Sequence, residues 1–557
     1  MIATGPRLGW KGWLILVGLS CLILLPGISS LPPVDRDEAR YAVATSQMLA
    51  TGDFIDIRFQ EEQRYLQPAG IYWLQSLAVT LTGTADDRAI WAHRIPSFLG
   101  ILAAVLMTGA LATRLYGRQA GLAAALLVAT SFAVGFEARI AKTDAMLLAT
   151  ITAAHIALMQ IYLKPLGHWW RPALFWAALG TGMMIKGPII LLFVGLALAA
   201  LLVWDRKLAW LTALKPLWGV PLFLAIVLPW YVAIGIVSDG GFYAEAVGDS
   251  LMGKVGESQQ SHAGPFGYYL GLFSLTFWPG SLFFAYAGYW TWCNRKEAAV
   301  RYLIAWILPG WIAYELIATK LPHYIMPLYP AMACLAVAAI FVPGQIRAPF
   351  WVRIGAGLYG AVWLAYSALV AALGPGGLYW IEGRVSPMLI LAGVLIGLAA
   401  VATLTLYLTG RRPAALIAGV VAGGLGAVTV YGNTLPRLET FWLTPRIVAA
   451  VEAHGACETT RLVTSAFREP SLVFRHGPYD TLLADGPAGA ADALAADPSC
   501  SLALIDAAEA APFLARAGTL SLTPQALAVI EGQNYSNGDE MALTLYRAGP
   551  APTGPGE

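Results

Sequence analysis

The sequence predicts an all-α polytopic membrane bundle followed by a smaller C-terminal α/β segment. Three observations lead there. Of 557 residues, 58% are hydrophobic and only 12% are charged, against about a quarter charged in soluble domains. Apolar stretches long enough to cross a bilayer core recur from residue 11 to residue 433. Past residue 434 they stop and the charge balance reverses: residues 1–434 carry 28 Lys+Arg and 19 Asp+Glu, residues 435–557 carry 7 and 14. This composition excludes an ordinary soluble enzyme, a disordered chain and a nucleic-acid binder.

The spans read as 11–29, 89–113, 119–136, 145–163, 172–186, 188–204, 216–237, 267–292, 302–318, 323–342, 351–373, 387–409 and 414–433, about 13 in all. The first follows Arg7 and Lys11 like a signal peptide, but no A-x-A-like site comes after it, so it reads as a true helix. One set of loops holds 16 basic residues, from Arg7/Lys11 to Arg411/Arg412, and only two acids, Asp205 and Glu297. By the positive-inside rule this set is cytoplasmic. An odd number of spans then puts the N-terminus inside and the C-terminal segment outside, in the periplasm of a Gram-negative cell.

The expected organisation is a transmembrane domain over 1–434, with long outer loops at 31–88 and 238–267, and a periplasmic α/β domain over 435–557. In the latter, Arg461–Ser465, Ser501–Ile505 and Met541–Tyr546 read as strands, and Ala488–Ala496 and Glu509–Ala517 as helices. Cys457 and Cys500 lie there, either bridged, as an oxidising compartment permits, or as two buried thiols. No G-x-G-x-x-G or G-K-[ST] fingerprint stands in the cytoplasmic loops, which argues against an ATP-driven pump.

Ionisable residues at the outer rim carry the chemistry, because charge near a bilayer is costly. Asp35-Arg36-Asp37-Glu38-Ala39-Arg40 packs three acids and two arginines into six residues. A helix N-terminus with i,i+3 pairs is the bland account. Glu137-Ala138-Arg139-Ile140-Ala141-Lys142-Thr143-Asp144 lies between two spans with almost no spare loop. An N-cap would explain Asp144 but not the neighbouring cations. Thr319-Lys320-Leu321-Pro322-His323-Tyr324 adds donors at a third outer boundary, where tyrosine anchoring is the ordinary reading. Lys186-Gly187-Pro188 gives a further cation at membrane depth, and Lys254 lies in the 238–267 loop. Carboxylates near cations at a lipid boundary suit a substrate with an apolar tail and a phosphate head.

These motifs resemble those of the C-type membrane glycosyltransferases that use polyprenyl-phosphate sugars. Within them the chain looks like the branch of bacterial lipid A aminoarabinose transferases and protein O-mannosyltransferases. The resemblance rests on Asp37-Glu38-Ala39-Arg40-Tyr41-Ala42, Pro68…Tyr72-Trp73, Thr143-Asp144-Ala145-Met146-Leu147, Lys186-Gly187-Pro188 and Lys320-Leu321-Pro322-His323-Tyr324. It implies the C-type glycosyltransferase fold and Asp37 as principal catalytic carboxylate, with Asp144 as second acid and Glu38 in support. It further implies Lys320 and Tyr324 at the donor phosphate and His262 in the outer loop; the cations Lys254, Arg40, Arg139 and Lys186 are further candidates for that phosphate, and His323, Tyr72 and Gln67 for the substrate. Two positions depart from the aminoarabinose transferases: Leu66-Gln67 replaces an acid–lysine pair before Pro68, and Ala263 replaces an arginine after His262. Lys254 or Arg64 then stands in for the missing cations.

The implied reaction moves one sugar from an undecaprenyl (polyprenyl) phosphate carrier to lipid A or another envelope glycolipid, with 4-amino-4-deoxy-L-arabinose as one candidate sugar. No cofactor is required. A divalent metal on Asp37 or Glu38 stays open, although the seven histidines show no ligand spacing. The expected partners are the donor lipid, the glycolipid acceptor and the inner membrane, with no nucleic acid, and the protein is expected to be a monomer. The rival readings are a protein O-glycosyltransferase using the same donor, a transporter of lipid-linked saccharides, and an inactive scaffold.

Overall fold

The computed structural model describes residues 8–165, 167–246, 248, 264–342 and 348–549. The first half runs α1 (Trp10–Leu24), α2 (Asp37–Thr51), a short hairpin β1 (Arg58–Phe59) and β2 (Glu62–Gln63), then α3 (Gly70–Thr82), α4 (Ile90–Tyr116), α5 (Arg118–Ala129), α6 (Phe132–Glu137), α7 (Asp144–Leu163), α8 (Trp170–Lys186), α9 (Ile189–Asp205) and α10 (Pro216–Val237). The second half of the bundle comprises α11 (Tyr268–Thr276), α12 (Ser281–Cys293), α13 (Ala298–Leu316), α14 (Tyr329–Phe341), α15 (Phe350–Glu382), α16 (Pro387–Leu408) and α17 (Arg412–Thr429).

Among the described residues, six helices are long and apolar enough to cross a membrane: α4, α7, α10, α15, α16 and the run Arg412–Arg437. The protein is therefore a multi-pass membrane protein. Four further apolar helices are shorter: Trp10–Leu24, Arg118–Ala129, Ile189–Asp205 and Met326–Phe341. Several stretches that hydropathy joins into one span are divided by the backbone. Residues 267–292 form α11 and α12, and 119–136 form α5 and α6. A window-averaged apolar count does not register such breaks, although Thr130-Ser131 and Pro279-Gly280 stand at them.

Two glycines set how the site-bearing helices meet. A side chain at Gly100 of α4 would lie 2.8 Å from the carbonyl of Ala145, and one at Gly70 of α3 would lie 2.6 Å from the carbonyl oxygen of Met184. Small residues at such crossings let helix backbones approach closely. They bring the start of α7 against α4 and the end of α8 against α3. Because α7 and α8 are consecutive and pack together, the N-terminus of one and the C-terminus of the other share one face.

Residues 443–549 contain a five-stranded sheet and four helices. The strands are β3 (Arg461–Thr464), β4 (Thr481–Leu483), β5 (Ser501–Asp506), β6 (Thr523–Asn534) and β7 (Asp539–Gly549), in spatial order β4-β3-β5-β7-β6. β3 is parallel to β4 and β5, whereas β7 is antiparallel to β5 and β6. Strand side chains alternate between faces. Leu462, Leu502, Leu504, Leu543 and Leu545 accordingly pack with Ile447 and Val451 of α18 (Leu443–His454). The alternate positions Val463, Ala503, Ile505 and Tyr546 pack with Leu494 of α20 (Gly486–Ala496) and Phe513 of α21 (Ala510–Thr519). α19 (Pro470–His476) lies elsewhere: its Val473 and Phe474 pack on Ala42, Val43, Ile90 and Ala141 of the bundle. Cys457 and Cys500 are joined by a disulfide, with Cα atoms 5.5 Å apart.

Candidate active site

The site forms where five chain segments converge at one end of the bundle: the start of α2, residues 64–67, residues 142–144, Lys186 and residues 321–324. Asp37 opens α2, and the residue before it, Arg36, has φ of 67°, a sparsely populated conformation for a residue with a side chain. That reversal separates Asp35, whose Oδ1 accepts the Ser471 amide at 2.9 Å, from Asp37, which lines a small polar cavity of about 80 Å³.

Glu38 fixes this turn to the rest of the molecule. Its Oε1 accepts from Arg94 Nε at 2.8 Å and from the Ala141 amide at 2.7 Å. Its Oε2 accepts from Arg94 Nη2 and from the Val34 amide, both at 2.8 Å. Arg94 also donates to the carbonyls of Ile28, Leu31 and Pro32 at 2.7–2.9 Å, so all five of its N–H groups are engaged. Both side chains of the pair are fully enclosed. Glu38 is thus no free catalytic or metal-binding carboxylate; it ties the Asp37 turn to the segment that carries Lys142 and Asp144.

Asp144 begins α7, where an acid is favoured by the helix dipole, and Lys186 ends α8, where a cation is favoured. Lys186 Nζ lies 2.6 Å from Asp144 Oδ1. Gly187, at φ 63°, turns the chain away directly after the lysine. Lys142 bridges Glu137 at 3.2 Å and Asp144 at 3.9 Å. His323 sits between the same acids, with Nδ1 3.5 Å from Glu137 and Nε2 3.6 Å from Asp144. Tyr324 turns its ring to Lys186, 5.6 Å from ring centre to Nζ. Asp144 is therefore a paired carboxylate that orients two lysines.

Two cavities meet on this network. The polar one is lined by Asp37, Tyr41, Arg64, Lys142 and His323, among others. The second, about 220 Å³, is walled by apolar residues such as Leu147, Leu192, Phe193 and Met326. Leu66, Gln67, Asp144, Lys186 and Tyr324 line both. Asp37, Asp144, Lys186, Tyr324, His323 and Gln67 are thus brought together as the sequence predicts.

The other expected residues lie differently. Arg139 is enclosed, donating to the carbonyls of Pro26, Ile23 and Gly135 with its guanidinium over the Tyr431 ring. It holds the α6 turn and does not face the cavity. Lys320 Nζ donates to the Ile317 carbonyl at 2.6 Å and does not line either cavity. Tyr72 is buried behind Tyr41, ring centres 5.3 Å apart, and lines neither of these two cavities. Arg40 lines a separate, larger polar cavity. Lys254 and His262 lie outside the described residues. A motif does not say which partner a side chain finds, and that decided Arg139, Lys320 and Tyr72.

The sequence argument gives Glu137 and Lys142 no role beyond membership of the charged run before Asp144, and offers Arg64 only as a stand-in cation; the structure places all three in this network. Lys142 stands two residues before Asp144, and in so short a loop that spacing was the available signal. Arg64 is 7% exposed, with its guanidinium 5.3 Å from the Tyr41 ring centre. Among the described residues, no group of three or more His, Cys, Asp or Glu side chains is arranged to hold a metal ion. The places a cation would take between Glu137 and Asp144 are filled by Lys142 and Lys186.

Residues 33–238 match the family model of dolichyl-phosphate-mannose-protein mannosyltransferase. The chain is 28% identical over 348 residues to the undecaprenyl phosphate-alpha-4-amino-4-deoxy-L-arabinose arabinosyl transferase of Edwardsiella ictaluri, covering 61% of this chain and 59% of that one. Its counterpart in Pseudomonas aeruginosa is 28% identical over 334 residues, 59% of each chain. The chain thus spans about 59% of the length of these curated relatives. In structure it resembles ArnT from Cupriavidus metallidurans bound to undecaprenyl phosphate, with TM-score 0.75 and 18% identity over 98% of this chain and 100% of that one. That likeness shows the fold.

Proposed function

We propose that this chain is an integral-membrane glycosyltransferase that moves a sugar from an undecaprenyl (polyprenyl) phosphate to lipid A or another envelope glycolipid, with 4-amino-4-deoxy-L-arabinose the favoured sugar. The observation that carries this reading is the junction of the two cavities. An apolar cavity suits the first units of a polyprenyl tail, and the residues it shares with the polar cavity include a lysine and a tyrosine at the place a phosphate head would reach. The names of the relatives supply the sugar and the carrier.

On this reading the acceptor oxygen attacks the anomeric carbon from the face opposite the lipid phosphate. The bond to the phosphate oxygen breaks, its electrons leave with the phosphate, and the configuration inverts. Lys186, Lys142 and Arg64 stabilise the charge that develops on the leaving group. Asp37 takes the proton of a hydroxyl acceptor; a phosphate acceptor arrives already ionised and leaves Asp37 to steady the sugar cation. Asp144 and Glu137 hold the lysines in place.

The membrane is read as the bacterial inner membrane, crossed an odd number of times close to thirteen, with a cytoplasmic N-terminus and residues 435–557 forming a periplasmic α/β domain. The loop charges support this orientation, as does the Cys457–Cys500 disulfide, a bond of oxidising compartments. Transfer to a protein hydroxyl is the second reading, favoured by the family model over residues 33–238. Mass spectrometry of lipid A from cells with and without the gene tests the first. Loss of a pentose-sized increment supports it. An unchanged lipid A profile together with a lost glycoprotein modification establishes the second reading instead.

A further inference from the structure

A third cavity, about 790 Å³ and mainly polar, lies between the Arg58–Gln63 hairpin and the start of the C-terminal sheet. Its volume is that of a small-molecule site. Four arginines line it: Arg40 and Arg64 from the bundle side, Arg461 and Arg468 from the C-terminal side. Three acids face it as well, Glu61, Glu62 and Glu245. Arg461 and Arg468 are exposed, and neither has a carboxylate within ion-pair distance among the described residues. Arg40 lies one turn after Asp37 on α2. Arg64 and Leu66 line both this cavity and the polar cavity of Asp37, so the two spaces adjoin. The walls are held in register by Gln60, whose side chain donates to the carbonyls of Pro478 and Thr481 at 3.0 and 2.7 Å.

We propose that this cavity receives the acceptor and that Arg461 and Arg468, contributed from outside the helical bundle, bind the phosphate of a phosphorylated saccharide head group. The proposal rests on the transferase reading above and adds the acceptor's place and chemistry. A guanidinium fork pairs with phosphate through two parallel hydrogen bonds. Two such side chains, without carboxylate partners among the described residues and in a cavity that adjoins the leaving-group site through Arg64, suit an anionic acceptor better than a neutral serine or threonine hydroxyl.

The test uses the full-length protein in nanodiscs and an Arg461→Gln/Arg468→Gln variant. Binding is measured for bisphosphorylated lipid A, for the same lipid with its phosphates removed, and for undecaprenyl phosphate. The expected result is about tenfold or greater loss of affinity for bisphosphorylated lipid A in the variant. Affinity for undecaprenyl phosphate stays unchanged, and the dephosphorylated lipid binds both proteins equally weakly. Equal affinity of both proteins for bisphosphorylated lipid A overturns the proposal, as does wild-type protein that does not prefer the phosphorylated form. Parallel loss of undecaprenyl phosphate binding in the variant also overturns it, since the arginines then serve the donor or the fold. Failure of the wild-type protein to bind undecaprenyl phosphate is a different result and defeats the transferase reading itself.

Discussion

Replacing Glu38 by glutamine changes one atom and should unseat the active-site turn. Each carboxylate oxygen of Glu38 accepts two hydrogen bonds: Oε1 from Arg94 and Ala141, Oε2 from Arg94 and Val34. Whichever way the new amide is turned, its nitrogen faces two donors, and the Arg94 guanidinium loses its only carboxylate. Breaking a buried ion pair from one side costs about 3–5 kcal/mol, a large part of the roughly 5–15 kcal/mol that holds a domain folded. Glu38→Gln should therefore lower the midpoint of thermal unfolding of the detergent-solubilised protein by several degrees and lower transfer in parallel. Replacing both partners with leucine should not restore stability, although such swaps often do. Here the swap would strip three backbone carbonyls, those of Ile28, Leu31 and Pro32, of their donor. The reasoning is refuted by an unchanged unfolding midpoint in Glu38→Gln, or by full recovery in the double variant.

Asp37 is exposed and starts a helix, so Asp37→Asn should leave unfolding within about 0.5 kcal/mol of wild type while cutting turnover by about 10²-fold or more; both are read on one purified sample. Lys186→Met should weaken undecaprenyl phosphate binding about tenfold, whereas Lys320→Met, whose ammonium is engaged with a backbone carbonyl, should stay within about twofold; titration of the two variants side by side decides between these lysines. Asp35 is pushed up to about 7, first by burial and then by the nearby Glu469 charge. Folding therefore favours its protonated form, and stability should fall as pH rises from about 4 to 7. Asp35→Asn keeps an oxygen for the Ser471 amide and should flatten that slope in unfolding curves recorded across the range. The Cys457–Cys500 bond closes a loop with a sequence separation of 43, worth about 4 kcal/mol by chain entropy; reduction should therefore loosen residues 443–549, measured as faster amide exchange in that region.

Much of this site was legible from residue types alone. Charge at an outer boundary stands out against so apolar a background, so Asp37, Asp144, Lys186, His323 and Tyr324 could be picked by eye. What the sequence did not disclose was pairing. Asp37 and Glu38 are neighbours with the same functional group, yet one lines a cavity and the other is locked to an arginine 56 residues away. Arg139 and Lys142 are three apart, and only the lysine reaches the acids. These outcomes depend on helix rotation and on partners far along the chain. The sheet shows the same limit. β3, β5 and β7 were predicted within a few residues because their apolar runs are dense. β6 was not, since its residues alternate weakly and it pairs only at the sheet edge with β7. Hydropathy likewise ran α11 into α12, because nothing in the apolar count marks a break.

The lysines of the site already have anions of their own. Glu137 and Asp144 balance Lys142 and Lys186 one for one, with His323 between them. A spent lipid phosphate leaving this pocket would strand no naked ammonium, since each lysine falls back onto a carboxylate that never left. An enzyme that must discharge a product as greasy and as anionic as its substrate gains from such an arrangement. Tight capture would be easy to build from bare cations, but every turnover would then wait on the departure of the carrier.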